Sequence, residues 1–156
     1  MCSSDLPEAS EALWAGGYLH TGDIAVVMPD GSIRIVDRIK DVIKSGGEWV
    51  SSLQIEELIG RYPSVKEAAV IGIPDEKWGE RPFALVVKDS DHLSGYQEAD
   101  IKAHLQAFAA RGVISKYGIP EKIQFVDRLA KTSVGKIDKK LLRETYAQIA
   151  QLQRAG

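Results

Sequence analysis

Cysteine is almost absent: Cys2 is the only one in 156 residues. That excludes a disulfide framework and a thiolate metal site. Histidine is nearly as scarce. His20, His92 and His104 lie far apart, and no HExxH or Cys/His cluster exists, so a metal of this chain's own is not expected. No apolar run approaches the roughly 18–20 residues of a membrane span, so no transmembrane segment is expected. The start carries neither a basic region nor an apolar one, so no secretory signal is expected. An excess of one charge is lacking too. Lys and Arg number 20 and Asp and Glu 22, a net charge of -2, which argues against a nucleic-acid partner. Nucleophile and phosphate motifs fail as well. GxSxG does not occur. Thr132-Ser133-Val134-Gly135-Lys136 looks like half of a Walker A loop, but Ala130 stands where its first Gly is needed and Ile137 where Ser or Thr must follow. The expectation is a reduced, cytoplasmic protein.

What is present has the length of about one domain, by a prior of roughly 150 residues each. Two β-rich runs, 24–28 and 33–36, flank Pro29-Asp30-Gly31-Ser32 and predict a hairpin. Ser51-x-x-Gln54 fits a capping box, and Ile55, Leu58, Ile59 and Tyr62 continue on one helical face until Pro63. Runs 68–73, 83–87 and 123–126 read as strands, with Pro74 and Pro82 flanking the loop between the first two. Residues 98–110 read as a helix with a Glu98–Lys102 pair at i,i+4, and 138–153 as a last helix. Short strands and helices mixed in this order predict an α+β fold.

Four loop clusters then stand out: Thr21-Gly22-Asp23, Asp37-Arg38, Lys44-Ser45-Gly46-Gly47-Glu48 and the segment 132–136. Taken singly, each is an ordinary turn or a solvated charge. Taken in order they carry three longer motifs. These are Gly17-Tyr18-Leu19-His20-Thr21-Gly22-Asp23, the run from Ile35 through Asp37-Arg38-Ile39-Lys40-Asp41 to Glu48, and Lys131-Thr132-Ser133-Val134-Gly135-Lys136. In these motifs the sequence resembles the C-terminal part of the adenylate-forming (AMP-binding) enzymes: acyl-CoA synthetases, luciferases and peptide-synthetase adenylation domains. The likeness runs from about Pro7 to Tyr146.

That resemblance implies a small α+β lid domain, with a short antiparallel three-stranded sheet packed by helices and preceded by a β-hairpin. It implies the C-terminal fragment of a synthetase, inactive alone, that completes a missing N-terminal adenylation domain. ATP and coenzyme A would be substrates with a small-molecule carboxylate, and Mg2+ would bind through the missing domain. Residues 1–6 read as a non-native head, a match to a translated sequencing-adapter tail. Residues 7–36 would be the end of the N-terminal domain and the hairpin, 37–40 the hinge, and 41–150 the C-terminal domain.

Residue roles follow from the same likeness. Asp23 would accept hydrogen bonds from ribose hydroxyls, and Arg38 would offer its fork of donors to the nucleotide. Lys40 would be the hinge. Lys44, Gly46 and Gly47 would line the coenzyme A path, where a missing Cβ allows close approach. Lys136 would bridge the substrate carboxylate and the α-phosphate and offset charge in the transition state. Glu48-Trp49-Val50-Ser51-Ser52 resembles the medium- and long-chain fatty acyl-CoA synthetase branch, in which Trp49 would face the acyl channel or pack the domain interface. Ala130 departs from the proline usual there. The competing readings are a synthetase for another carboxylate, aryl or short thio-acid, and a non-catalytic nucleotide- or partner-binding module.

Overall fold

The computed structural model describes residues 7–89 and 95–154; the reading of residues 1–6 as a foreign head lies outside them. Chain contacts divide the protein into two units, one ending at Lys40 and the other beginning at Asp41.

The first unit holds helix α1 (Pro7–Leu13) and the antiparallel pair β1 (Asp23–Val27) and β2 (Ile33–Arg38). Its loop is a three-residue one rather than a bare Asp-Gly turn. Met28 N–H donates to Ser32 O at 2.8 Å, Gly31 N–H donates to Met28 O, and Gly31 has φ +82°. A glycine in the left-handed region closes three-residue hairpins in this way. The Asp30 carboxylate takes hydrogen bonds from Ser32 Oγ–H and N–H, which hold its pKa below the ordinary value. Register places Val27 opposite Ile33 and Ala25 opposite Ile35, so one face is apolar, and its members are exposed.

The second unit is built on β5 (Val65–Asp75) and β6 (Gly79–Lys88), paired antiparallel along their length. Their side chains alternate between two cores. Val70, Ala84 and Val86 pack with Ile55, Leu58 and Ile59 of α2 (Ser52–Gly60) and with Ile101 and Leu105 of α3 (Glu98–Ala110). Ala69, Ile71, Ile73, Leu85 and Val87 pack with Leu142 of α4 (Lys139–Arg154) and with Leu129. Both faces are covered, which is why these strands read as nearly continuous apolar runs.

The α+β class holds, but the three-stranded antiparallel sheet is corrected. The sheet has five strands and is mixed. Two are β3 (Ile43–Ser45) and β4 (Glu48–Val50), only three residues each, too short to show a period-two pattern. The fifth, β7 (Lys122–Phe125), lies parallel to β6, because the chain returns through α3 as a crossover. Pro74 and Pro82 do not flank the β5–β6 loop but lie within the strands, opposite Glu80 and Gly72. They sit two residues apart on the ladder, where a missing N–H removes no rung.

Ser51 Oγ accepts Gln54 N–H at 3.2 Å as expected of a cap, but the Gln54 side chain donates to Val113 O instead of returning to Ser51. The Glu98–Lys102 pair forms at 2.6 Å. Burial pushes the Glu98 carboxyl up, yet hydrogen bonds from Lys102 and Ile123 N–H outweigh it and leave its pKa below the ordinary value.

Candidate functional site

The β1–β2 register puts Asp23 directly opposite Arg38. Asp23 N–H donates to Thr21 Oγ1, and Ile39 N–H donates to Gly22 O, so the TGD segment lies along the end of β2. Their ion pair runs through Nε at 3.6 Å, longer than a good hydrogen bond, and the guanidinium is more than half exposed. Such a pair contributes only about 0–1 kcal/mol, so both groups can turn to a ligand at little cost. Asp37 beside them is buried, and its carboxylate takes the Arg38 N–H at 2.8 Å.

The second group sits on the β3–β4 hairpin. Its two loop residues, Gly46 and Gly47, have φ +61° and +82°, the pair of positive values a type I′ turn needs. The glycines differ in surroundings. A Cβ on Gly47 would meet open space, whereas one on Gly46 would lie 3.1 Å from Trp78 and 3.2 Å from Tyr117. Those two rings meet at a tilt of 52° with centroids 5.6 Å apart, and Gly46 N–H donates to Trp78 O. Trp78 is therefore a packing residue. Gly46→Ala should cost roughly 2–3 kcal/mol, from left-handed strain of about 1–2 kcal/mol plus crowding. Gly47→Ala should cost only the strain of about 1–2 kcal/mol. Urea unfolding of the two variants checks the difference, and equal costs would show that the aromatic wall yields freely.

Lys44 and Trp49 are cross-strand partners on this hairpin, with the Lys44 ammonium 5.5 Å above the indole. Trp49 is 62% exposed, so within this unit it belongs to no core. Glu80 accepts the Lys44 N–H at 2.9 Å. Ser45 between them is fully buried, and its hydroxyl has no hydrogen-bond partner among the described residues.

The third group is the Lys136 loop. Thr132 N–H donates to Lys136 O, Gly135 N–H donates to Thr132 O, and Gly135 has φ +80°. This repeats the hairpin geometry of residues 28–32. Lys131 bridges to Ile137, and the Ala130 carbonyl accepts Asp138 N–H at 2.8 Å, so the loop closes without the proline. The Lys131 ammonium is taken by Glu67 at 2.7 Å. Lys136, in contrast, is exposed, and its ammonium has no partner among the described residues.

The predicted site residues thus form three local groups, Asp23 with Arg38, Lys44 with Gly46, Gly47 and Trp49, and Lys136 by itself, while exposed Lys40 ends the first unit. Sequence reasoning missed Glu80, Tyr117 and the anchors of α4, because their partners are remote in the chain. Lys139 donates to Glu56 and to Ser52 Oγ, both at 2.8 Å, and Arg143 donates to Asp41 at 2.8 Å. The one available signal was the i,i+4 spacing of Lys139 and Arg143 on an amphipathic helix.

Residues 54–136 match the AMP-binding enzyme C-terminal domain. The chain belongs to that family. Within this family its relatives include a long-chain-fatty-acid–CoA ligase of Thermus thermophilus, 42% identical over 135 residues that cover 86% of the chain and 24% of the relative. A peroxisomal acetate/butyrate–CoA ligase of Arabidopsis thaliana is 40% identical over 149 residues, covering 96% of the chain and 26% of the relative. Among solved structures, ATP-bound MatB from Rhodopseudomonas palustris superposes with a TM-score of 0.79 at 34% identity, over 93% of this chain and 28% of that one. The AMP-binding C-terminal domain and its flank thus span about a quarter of the length of these relatives. Among the described residues no helix is long and apolar enough to cross a membrane.

Proposed function

We propose that this chain is the C-terminal part of an acid–thiol ligase that activates a fatty acid with ATP and transfers the acyl group to coenzyme A. The supporting observation is the paired Asp23 and Arg38, placed by strand register just ahead of a unit boundary at Lys40, followed by an AMP-binding C-terminal domain that offers a free lysine on a tight hairpin. In the first half-reaction a substrate carboxylate oxygen attacks the α-phosphorus, and pyrophosphate leaves. In the second, the coenzyme A sulfur attacks the acyl carbon, and AMP leaves.

Asp23 accepts from the ribose hydroxyls and Arg38 donates to the nucleotide, the charge-assisted bonds that suit those groups. Lys136 lies between the carboxylate and the α-phosphate during adenylation and neutralises developing charge. The Gly46–Gly47 turn and Lys44 border the pantetheine path, and Trp49 faces the acyl channel. Lys40 is the hinge. Residues 7–36 complete an N-terminal domain, which covers the exposed apolar face of Ala25, Val27, Ile33 and Ile35. The magnesium that accompanies ATP belongs, in this reading, to the N-terminal domain. The fatty-acid assignment rests on Glu48–Ser52 and on the Thermus relative, while the Arabidopsis relative of similar identity is an acetate/butyrate–CoA ligase. We also propose a cytoplasmic setting and no nucleic-acid partner, readings that the single cysteine and the balanced charge support.

A chimera tests this. The corresponding C-terminal quarter of the Thermus ligase is replaced by this chain, and acyl-CoA formation is followed with long-chain acid, ATP and coenzyme A. We expect acyl-CoA from the chimera and no ATP–pyrophosphate exchange from the 156-residue chain alone. A folded chimera that forms neither acyl-AMP nor thioester, or robust exchange by the chain alone, overturns the proposal.

A further inference from the structure

Two contacts bracket Lys40 from opposite sides. In the first unit, Ile39 N–H donates to Gly22 O at 2.8 Å, which ties Ile39 to the start of β1. In the second, the carboxylate of Asp41 takes Arg143 Nη1 at 2.8 Å, across 102 residues of chain. The two side chains are only 28% and 17% exposed, so this is not a solvated surface pair. Lys40 between them is exposed and has no side-chain partner among the described residues.

Arg143 lies one turn after Lys139, about 6 Å along α4 and on the same face. Lys139 is fixed by Glu56, which also accepts Val70 N–H at 2.7 Å, and by Ser52. The start of α4 is therefore held to α2 and β5 by one cation and to Asp41 by the next. Its N-cap is Asp138, whose carboxylate accepts Leu141 N–H and whose own N–H closes the Lys136 hairpin onto Ala130. One continuous set of bonds runs from Asp41 through the first turns of α4 to the loop that carries Lys136.

We infer that Asp41 and Arg143 are positioning residues: their ion pair locks the first residue after the hinge to α4, so that rotation is confined to Lys40 and carried without slack to Lys136. The inference rests on the reading of Lys40 as the hinge of a ligase. Removing the pair leaves both units folded, since α4 keeps Lys139 and the buried Leu142, but frees Asp41 to share the dihedral change.

Amide hydrogen exchange on the 156-residue chain tests the lock without reference to catalysis. Arg143→Met keeps the apolar stem and removes the charge. Exchange at residues 41–43 should quicken about tenfold, the effect expected of losing one charge-assisted bond, while amides of Ile71 and Leu85 stay unchanged. Arg143→Lys should restore protection, because the contact uses a single charged donor. Asp41→Asn, isosteric, serves where the Met variant unfolds. Unchanged exchange at 41–43, or equal acceleration throughout the chain, overturns the lock.

In the Thermus chimera, Arg143→Met should lower kcat for the complete cycle about tenfold with KM for ATP unchanged, and Arg143→Lys should recover it. An unaltered kcat overturns the coupling to Lys136 even where exchange has changed. An unsubstituted chimera without activity counts against the ligase reading instead, and the exchange result still decides the lock.

Discussion

Lys136→Ala in the Thermus chimera is expected to slow acyl-AMP formation by about 10²–10³-fold, the loss seen when one preorganised charge stabiliser is removed. Thioester formation from supplied acyl-AMP should fall only a few-fold. The asymmetry follows from the chemistry. Charge builds on the α-phosphate oxygens only while pyrophosphate leaves, so a cation between carboxylate and phosphorus is needed in that half-reaction alone. Folding cannot account for such a loss. Lys136 is exposed and without a partner among the described residues, and the hairpin is closed by backbone bonds and by Gly135. Its removal should therefore change stability by no more than about 0.5 kcal/mol. Pyrophosphate exchange and single-turnover thioesterification, measured on one preparation, check the split. Equal loss of both half-reactions would show that Lys136 serves both.

Lys40→Pro is expected to lower the complete cycle by about 10²-fold, the scale set by misplacing a reacting group by about 1 Å. Proline holds φ near about -65° and pushes the preceding Ile39 out of the helical region, so the dihedral change at the hinge is blocked. At least one half-reaction, assayed separately, should keep near-normal rate, because a locked hinge still fits one orientation. Lys40→Ala is the control. The exposed side chain holds nothing among the described residues, so its loss should leave turnover within a few-fold. Normal turnover in the proline variant would remove Lys40 from the hinge role, and a large loss in the alanine variant would move the role from backbone to ammonium.

Much of the site is local and was readable for that reason. Gly31 and Gly135 each close a three-residue loop whose signal lies within five residues, and Gly46-Gly47 states its turn in two. The Asp23–Arg38 pairing was not readable in this way: counted outward from the hairpin at 29–31, the ladder would set Asp23 opposite Asp37, and a bulge between Ile24 and Ala25 shifts it by one residue to Arg38. Helix 98–110 carried its own boundary marks, with Gln97 N–H donating to the Asp100 carboxylate at 2.7 Å.

What lies across the chain was not readable. Strands of three residues have no period to detect, so β3 and β4 entered the sheet unannounced. The parallel placement of β7 depends on where α3 returns the chain, which no local pattern states. Gly46 is legible as a turn glycine, but the need for space against Trp78 and Tyr117 arises only when β6 and the segment around Tyr117 meet it. Asp41 with Arg143, and Lys139 with Glu56, are the strongest case. A charge announces itself in sequence, but its partner is chosen by tertiary packing, since Coulomb attraction is decided by separation in space and by burial. The amino-acid order alone therefore determined the α+β class, the family and the candidate residues. Only the tertiary structure decided how many strands the sheet has and which acid holds α4 beside Lys40.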